Sequence, residues 1–255
     1  MRRLFVMLAT VVGVLFGSVA PASAGNNITD PWWGMLTENP VGYYPTVPIG
    51  AISVNASWRS IETSPGVYDF SQIDARVASA ESRGAKVLIN LSGTPEFWAS
   101  KPTQVALGGL GSASMTKDVG AWSNFVTAIA NHFGDRVEYL PWNEPCVIGF
   151  WTGTKAQLVQ LQSIAYTKIK AMAPTATVVA PACPVRLSSQ KTYFKALYGT
   201  AFGGKKFGLW ADKVAVNPYP LSAQGPESAL TNYNWFKTMA AGKGRAISTG
   251  FSMGP

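Results

Sequence analysis

The chain has 255 residues, of which 47% are hydrophobic, 12% aromatic and only 13% charged. That balance excludes a disordered or coiled-coil protein, because apolar area for a core is plentiful and charge is sparse. The net charge of +8 is mild and no Lys/Arg cluster is longer than Lys205-Lys206, which excludes a nucleic-acid groove and reads as a solvated surface.

Residues 1–3 carry Arg2 and Arg3, residues 4–16 are a nearly unbroken apolar run, and Ala22-Ser23-Ala24 has the small-x-small pattern of a signal-peptidase site. A signal peptide over 1–24 is therefore predicted, followed by one domain over 25–255. The product is expected to be secreted, extracellular or associated with the cell wall, and monomeric. The apolar run is shorter than the ~20 residues that span a bilayer, and no later segment reads as a membrane span.

From Trp32 onward, β-prone apolar runs alternate with helical spacing. A weak strand is predicted at 33–36 and a better one at 49–54. A helix follows at 71–83, with Ile73, Val77 and Ala80 on one face. The run KVLINL at 86–91 reads as a buried strand and leads into a loop at 92–98. A strong helix is predicted at 118–133, where Trp122, Phe125, Val126, Ile129 and Phe133 recur at three- and four-residue steps and Asp118 stands at the start. A strand at 137–141 and a helix at 155–172, striped by Leu158, Leu161, Ile164, Ala165 and Ile169, come next. A strand at 177–180, a helix at 190–198, a strand at 213–216 and a helix at 227–241 complete the order, and 245–248 begins one more strand.

This alternation predicts an α/β fold with a parallel sheet and helices outside it. No Gly-rich phosphate loop follows the first strand, so the nucleotide-binding version is set aside and no cofactor is expected. The reading adopted is a (β/α)8 TIM-type barrel that is incomplete. Strands at Trp33, Ile49, Lys86, Val137, Thr177, Lys213 and Arg245 make seven, with one strand and two helices still expected after Pro255. Two unpaired sheet edges and weak stability would follow. Cys146, Cys183 and the sole histidine, His132, are too few for a metal cage, so no metal is expected. The two cysteines follow neighbouring strands at the same end of the sheet, which leaves a disulfide or two free thiols open.

In a barrel, function sits where strands end. The predicted exits carry Asn55, Trp58 and Arg59, then the loop from Ser92 to Trp98, then Pro141-Trp142-Asn143-Glu144-Pro145, Ala182-Cys183, and Asn217-Pro218-Tyr219-Pro220. Aromatic rings and amides at several exits suit sugars, whose faces stack on rings and whose hydroxyls bond to amides.

Four stretches in the right order carry a resemblance. Trp142-Asn143-Glu144-Pro145 resembles the acid/base signature of clan A glycoside hydrolases. The segment from Trp58 to Phe70 resembles their second-strand region, W-x-x-I-E-x-x-x-G-x-Y-D-F. The segment from Leu91 to Trp98 is similar to the third-strand loop in relatives of families 39 and 5, and Asn217-Pro218-Tyr219 stands where many members have His-Pro-Tyr. The resemblance implies a retaining β-glycosidase or endoglycanase acting on a polysaccharide or glycoside.

On that basis Glu144 would protonate the departing glycosidic oxygen and then activate water, with Trp142 and Tyr219 walling its site. Asn143 would bond the sugar 2-hydroxyl. Asn217 would border the site, and the Tyr219 hydroxyl would hold the second carboxylate. Glu96 is a candidate substrate ligand, with loop fixing as its competing role. Trp58, Trp98 and Trp151 are candidate sugar platforms, with capping of the barrel core as theirs. Glu62 and Asp69 read as turn or surface residues. The family's nucleophile would be a Glu ending the seventh strand, where this chain reads Ile247-Ser248-Thr249-Gly250. Gly250 at that place implies an impaired enzyme, and the alternative is a carbohydrate-binding protein without turnover.

Overall fold

The computed structural model describes residues 34–36, 41, 42, 44 and 49–241. The predicted signal segment, the predicted strand at 245–248 and Gly250 lie outside the described residues. Six of the seven predicted strands are present as β1 (Gly34–Leu36), β2 (Ala51–Asn55), β5 (Lys86–Asn90), β6 (Val137–Leu140), β7 (Val179–Ala180) and β10 (Lys213–Val214). Between them come α1 (Trp58–Ile61), the hairpin β3 (Glu62–Ser64) and β4 (Val67–Tyr68), α2 (Ser71–Glu81), α3 (Val119–Phe133), α4 (Lys155–Met172), α5 (Ser188–Gly199) and the hairpin β8 (Ala201–Phe202) and β9 (Lys205–Lys206). Helix α6 (Glu227–Ala240) closes the described order.

The strands β1, β2, β5 and β6 pair in parallel, side by side in chain order. A parallel bridge between Tyr139 and Val178 carries the series to β7, which pairs in parallel with β10. A doubly wound sheet reverses its strand order at a switch point. Here the order never reverses, which is the progression of a barrel wall. Among the described residues the sheet is open, and closure is not displayed.

Two periodicities divide the sheet. Ile52, Val54, Val87, Ile89, Val137 and Tyr139 point to the helices and are buried. The alternate positions Ser53, Asn55, Leu88, Asn90 and Leu140 line an inner concavity, as the two-residue repeat of a strand requires. Helices form where the expected stripe and caps coincide. Asp118 accepts from Gly120 N at 2.7 Å at the start of α3. Thr154 and Gln157 form a capping box on α4, where one side chain bonds the other residue's backbone.

The short elements were not expected. The β8–β9 hairpin turns on Gly203 and Gly204, with φ of +56° and +79°, the conformation a tight two-residue hairpin turn demands. No helix among the described residues is long and apolar enough to cross a membrane.

Between the sheet and α3 lies a run of indoles. Trp58 contacts Trp122 at 5.3 Å and stacks on Phe125 at 5.5 Å. Trp122 meets Trp142 at 6.1 Å, and Trp142 meets Trp151 at 4.9 Å. Each of these rings is fully buried or nearly so. Each indole N–H is also satisfied inside the protein: Trp58 by Glu62, Trp122 by Leu161 O, Trp142 by Phe150 O and Trp151 by Thr154 O. Rings enclosed on both faces offer nothing to a ligand, so the platform role expected of Trp58 and Trp151 gives way to core packing.

Candidate active site

At the ends of β2, β5 and β6 the inner face opens into a cleft of about 580 Å3, within the range of small-molecule sites. Its floor is built by strand ends. The Asn90 amide donates to Asn55 Oδ1 at 3.1 Å across neighbouring strands, and Asn90 Oδ1 accepts from Ser92 N at 3.2 Å. One wall is the long loop after β5. Arg59 Nη1 donates to Gly108 O at 2.8 Å and Leu110 O at 3.1 Å, tying that loop to the exit of β2. Gly109 has φ +100°, and a β-carbon there would collide with the Arg59 guanidinium. Glycine at 109 is what lets the arginine seat.

Glu144 lines this cleft and is only 6% exposed. It is the one non-glycine among the described residues with a positive φ, +34°, a conformation that side chains rarely adopt and that clusters at functional sites. The turn is held downstream by Val147 N bonding Glu144 O at 2.9 Å and by Phe150 N bonding Val147 O at 2.9 Å. Trp142 holds it from below through its indole bond to Phe150 O at 2.9 Å. Trp142 thus orients the turn rather than walling the cleft.

Three consecutive strand exits bring Glu144 its partner. A disulfide joins Cys146 to Cys183 with a Cα–Cα distance of 5.9 Å, which settles the pairing that the sequence left open. Asn217 N bonds Cys183 O at 3.0 Å, and Val185 N bonds Asn217 O at 3.2 Å. The buried Asn217 amide then donates to Glu144 Oε1. Burial pushes the Glu144 carboxyl above its ordinary value, while the Asn217 bond and the positive charge of Arg186 pull the other way.

Asn143 and Asn217 line the cleft beside Glu144. Tyr219 does not line it. Its hydroxyl is buried without a hydrogen-bond partner among the described residues, and burial together with the Glu144 charge pushes its pKa up to about 12. Trp98 is half-buried and its indole donates to Glu62 Oε1 at 3.0 Å, so it anchors a loop and lies outside the cleft lining. Glu96 is exposed and does not line the cleft either.

The expectation that Glu62 is a turn or surface carboxylate is overturned. It is buried and accepts from the Trp58 indole, the Trp98 indole and Gly66 N. It clamps the hairpin to the loop after β5. Asp69 is exposed at the cleft edge, where the Ser71 side chain and then the Ser71 N–H, at 2.9 Å, hold its carboxyl below the usual range. His132 stacks on Phe70 at 4.3 Å and lies 2.6 Å from Asp74, pinning α3 to α2. Sequence reasoning did not assign Asn90 or Phe150 to the site and placed Arg59 at a strand exit without a role, although Asn at the end of adjacent strands was a readable signal for the floor. Among the described residues no group of three or more His, Cys, Asp or Glu is placed to hold a metal ion.

Known structures share this arrangement of strands. A family 39 glycoside hydrolase from Bacteroides cellulosilyticus WH2 superposes with a TM-score of 0.59 at 15% identity, over 86% of this chain and 47% of that one. A GH10 xylanase from Bispora sp. MEY-1 gives 0.59 at 14% identity, over 82% and 69%. Endo-glycoceramidase II from Rhodococcus sp. gives 0.56 at 17% identity, over 84% and 64%. The chain has the fold of these glycoside hydrolases. It spans about half the length of the first of them. No protein-family model and no curated protein matches the chain. Within this fold the cleft occupies the end of the sheet where the strands exit, and Glu144 stands on the turn after β6.

Proposed function

We propose that the protein is a secreted glycoside hydrolase in which Glu144 is the general acid that cleaves an O-glycosidic bond. The observation that carries this reading is a buried, bonded carboxyl on a cleft at the strand exits, whose lining brings amides and hydroxyls (Asn55, Asn90, Asn143, Asn217, Ser53, Ser92) together with Asp69, two arginines and a few apolar side chains. A carboxyl whose pKa is raised by burial keeps its proton at a pH where an exposed one has lost it. That proton passes to the glycosidic oxygen, the bond from this oxygen to the anomeric carbon breaks, and the leaving group departs as an alcohol. Water then supplies hydroxyl to the anomeric carbon and returns a proton to Glu144. Asn143, beside the acid, bonds the sugar 2-hydroxyl. Export to an oxidising compartment is supported by the Cys146–Cys183 disulfide.

A retaining reaction needs a second carboxylate about 5–5.5 Å from the first. The place where the resemblance puts it is Gly250. That residue favours a second reading, a carbohydrate-binding protein that keeps the cleft without turnover. The two are separated by measuring both binding and release of reducing ends with aryl β-glycosides, xylan and cellulose. The enzymatic reading expects release that Glu144→Gln abolishes while binding persists. It also expects Gly250→Glu to raise the rate at least tenfold. Binding without release by either the native chain or Gly250→Glu gives the second reading, and release unaffected by Glu144→Gln removes Glu144 from its role.

A further inference from the structure

Two of the loops that wall the cleft also carry exposed aliphatic side chains, outside its lining. Val105 is 86% exposed, Leu107 69%, Leu110 43% and Ile148 81%. All four lie on two loops, the long one after β5 and the turn that follows Glu144. These loops are bonded to each other. Leu107 N donates to Gly149 O at 3.2 Å, Thr152 N to Ala113 O at 2.8 Å, and Thr152 Oγ1 to Gln104 Oε1 at 2.7 Å. Leu107 lies over Gly149, where a β-carbon would stand 2.6 Å from its Cγ. Gly108, Gly149 and Phe150 line the cleft. Leu107 and Ile148 are therefore the chain neighbours of its wall, on a frame fixed by backbone bonds.

Apolar side chains gain nothing from water, and several gathered beside a polar cleft mark a contact surface. Which part of a ligand they meet follows from the chemistry of the acid. A general acid stands within hydrogen-bond reach of the leaving oxygen, so the departing group is held by what flanks the acid. Ile148 and Phe150 follow Glu144 on one turn, and Leu107 is bonded onto that turn. Resting on the reading of Glu144 as the acid, we propose that Leu107 and Ile148 form an aglycone subsite for an apolar leaving group, an alkyl chain or an aryl ring. The sugar lies in the cleft and the apolar group lies on the ledge, so the preferred substrate is an amphiphilic glycoside.

The test compares methyl with octyl β-D-xylosides and β-D-glucosides, below micelle-forming concentrations, by calorimetry on the full chain carrying Glu144→Gln so that nothing turns over. The octyl glycoside is expected to bind at least about tenfold tighter. That corresponds to about 1.4 kcal/mol, or roughly 55 Å2 of apolar area removed from water. Adding Leu107→Ser with Ile148→Ser should bring octyl affinity down to the methyl value and leave methyl affinity unchanged. Equal binding of methyl and octyl glycosides overturns the subsite while the cleft assignment stands. So does an octyl advantage that survives the double substitution, or 1-octanol binding as tightly as the octyl glycoside. Failure of every glycoside to bind refutes the cleft assignment and the subsite together.

Discussion

Replacing Asn217 by Leu isolates the one bond that opposes burial at Glu144. The Asn217 amide donates to Glu144 Oε1 inside the protein, and such a bond stabilises the ionised carboxyl. Its removal must therefore raise the Glu144 pKa further above its ordinary value of 4.5. A hydrogen bond to a charged group contributes about 1.5–3 kcal/mol, so its loss is large enough for titration to read. Leucine has the same branched skeleton of side-chain heavy atoms, and Asn217 Oδ1 has no partner among the described residues. The ladder through Asn217 N and O uses only backbone, so the variant keeps its fold.

Carbon-13 NMR titration of carboxyl-labelled glutamate, with Glu144→Gln identifying the resonance, reads the pKa directly. On the proposed reading of Glu144 as the acid, the alkaline limb of kcat/KM should move up with it, because a general acid must hold its proton. Stability follows the same sign. A carboxyl whose folded pKa lies above its unfolded one contributes fully below the unfolded value, and the contribution is lost as the pH rises through the folded pKa. In Asn217→Leu that window extends to higher pH. An unchanged or lowered pKa for Glu144 in this variant would refute the assigned electrostatics.

Glu62→Ala orphans three donors, the indoles of Trp58 and Trp98 and the amide of Gly66. The Trp58 indole is buried, Trp98 is half-buried and Gly66 is exposed, so at about 1–3 kcal/mol for a buried donor left unpaired urea unfolding should show a loss of at least about 1 kcal/mol, whereas an unchanged stability would show that the clamp bears little weight. The Cys146–Cys183 bond closes a loop across 37 positions. Its chain-entropy contribution is about 4 kcal/mol, so paired Cys→Ser substitution should lower the denaturation midpoint by a corresponding amount, and equal midpoints with and without reductant would contradict this.

Periodicity carried most of the fold. The alternation of buried runs with striped segments placed six described strands and α2 to α6 within a few residues. That legibility comes from burial: a parallel strand covered on both sides reads as a continuous apolar run, and a helix packed on a sheet reads as a stripe. The hairpins β3–β4 and β8–β9 and the single-turn helix α1 were missed because a two- to four-residue element has too few positions to show a period.

The site was legible only in part. Asn143, Glu144 and Asn217 stood out as residues that strand ends present to one cleft. The tryptophans misled, since an indole at a strand exit has the same sequence signature whether it faces a ligand or fills a core. The bonds of Trp58 to Glu62 and of Trp151 to Thr154 decided for the core.

By itself, then, the amino-acid sequence determined the order of strands and helices, the strand exits, and a carboxyl, Glu144, at one of them, because these follow from spacing along one chain. Only the tertiary structure decided that Asn217 reaches Glu144, that Cys146 bonds Cys183, that Glu62 is buried beneath two indoles, and that Leu107 lies on Gly149. Each joins residues between 36 and 73 positions apart, except the Trp58–Glu62 contact within one turn. Such pairings depend on how neighbouring strands and their exit loops pack, and no local pattern encodes that.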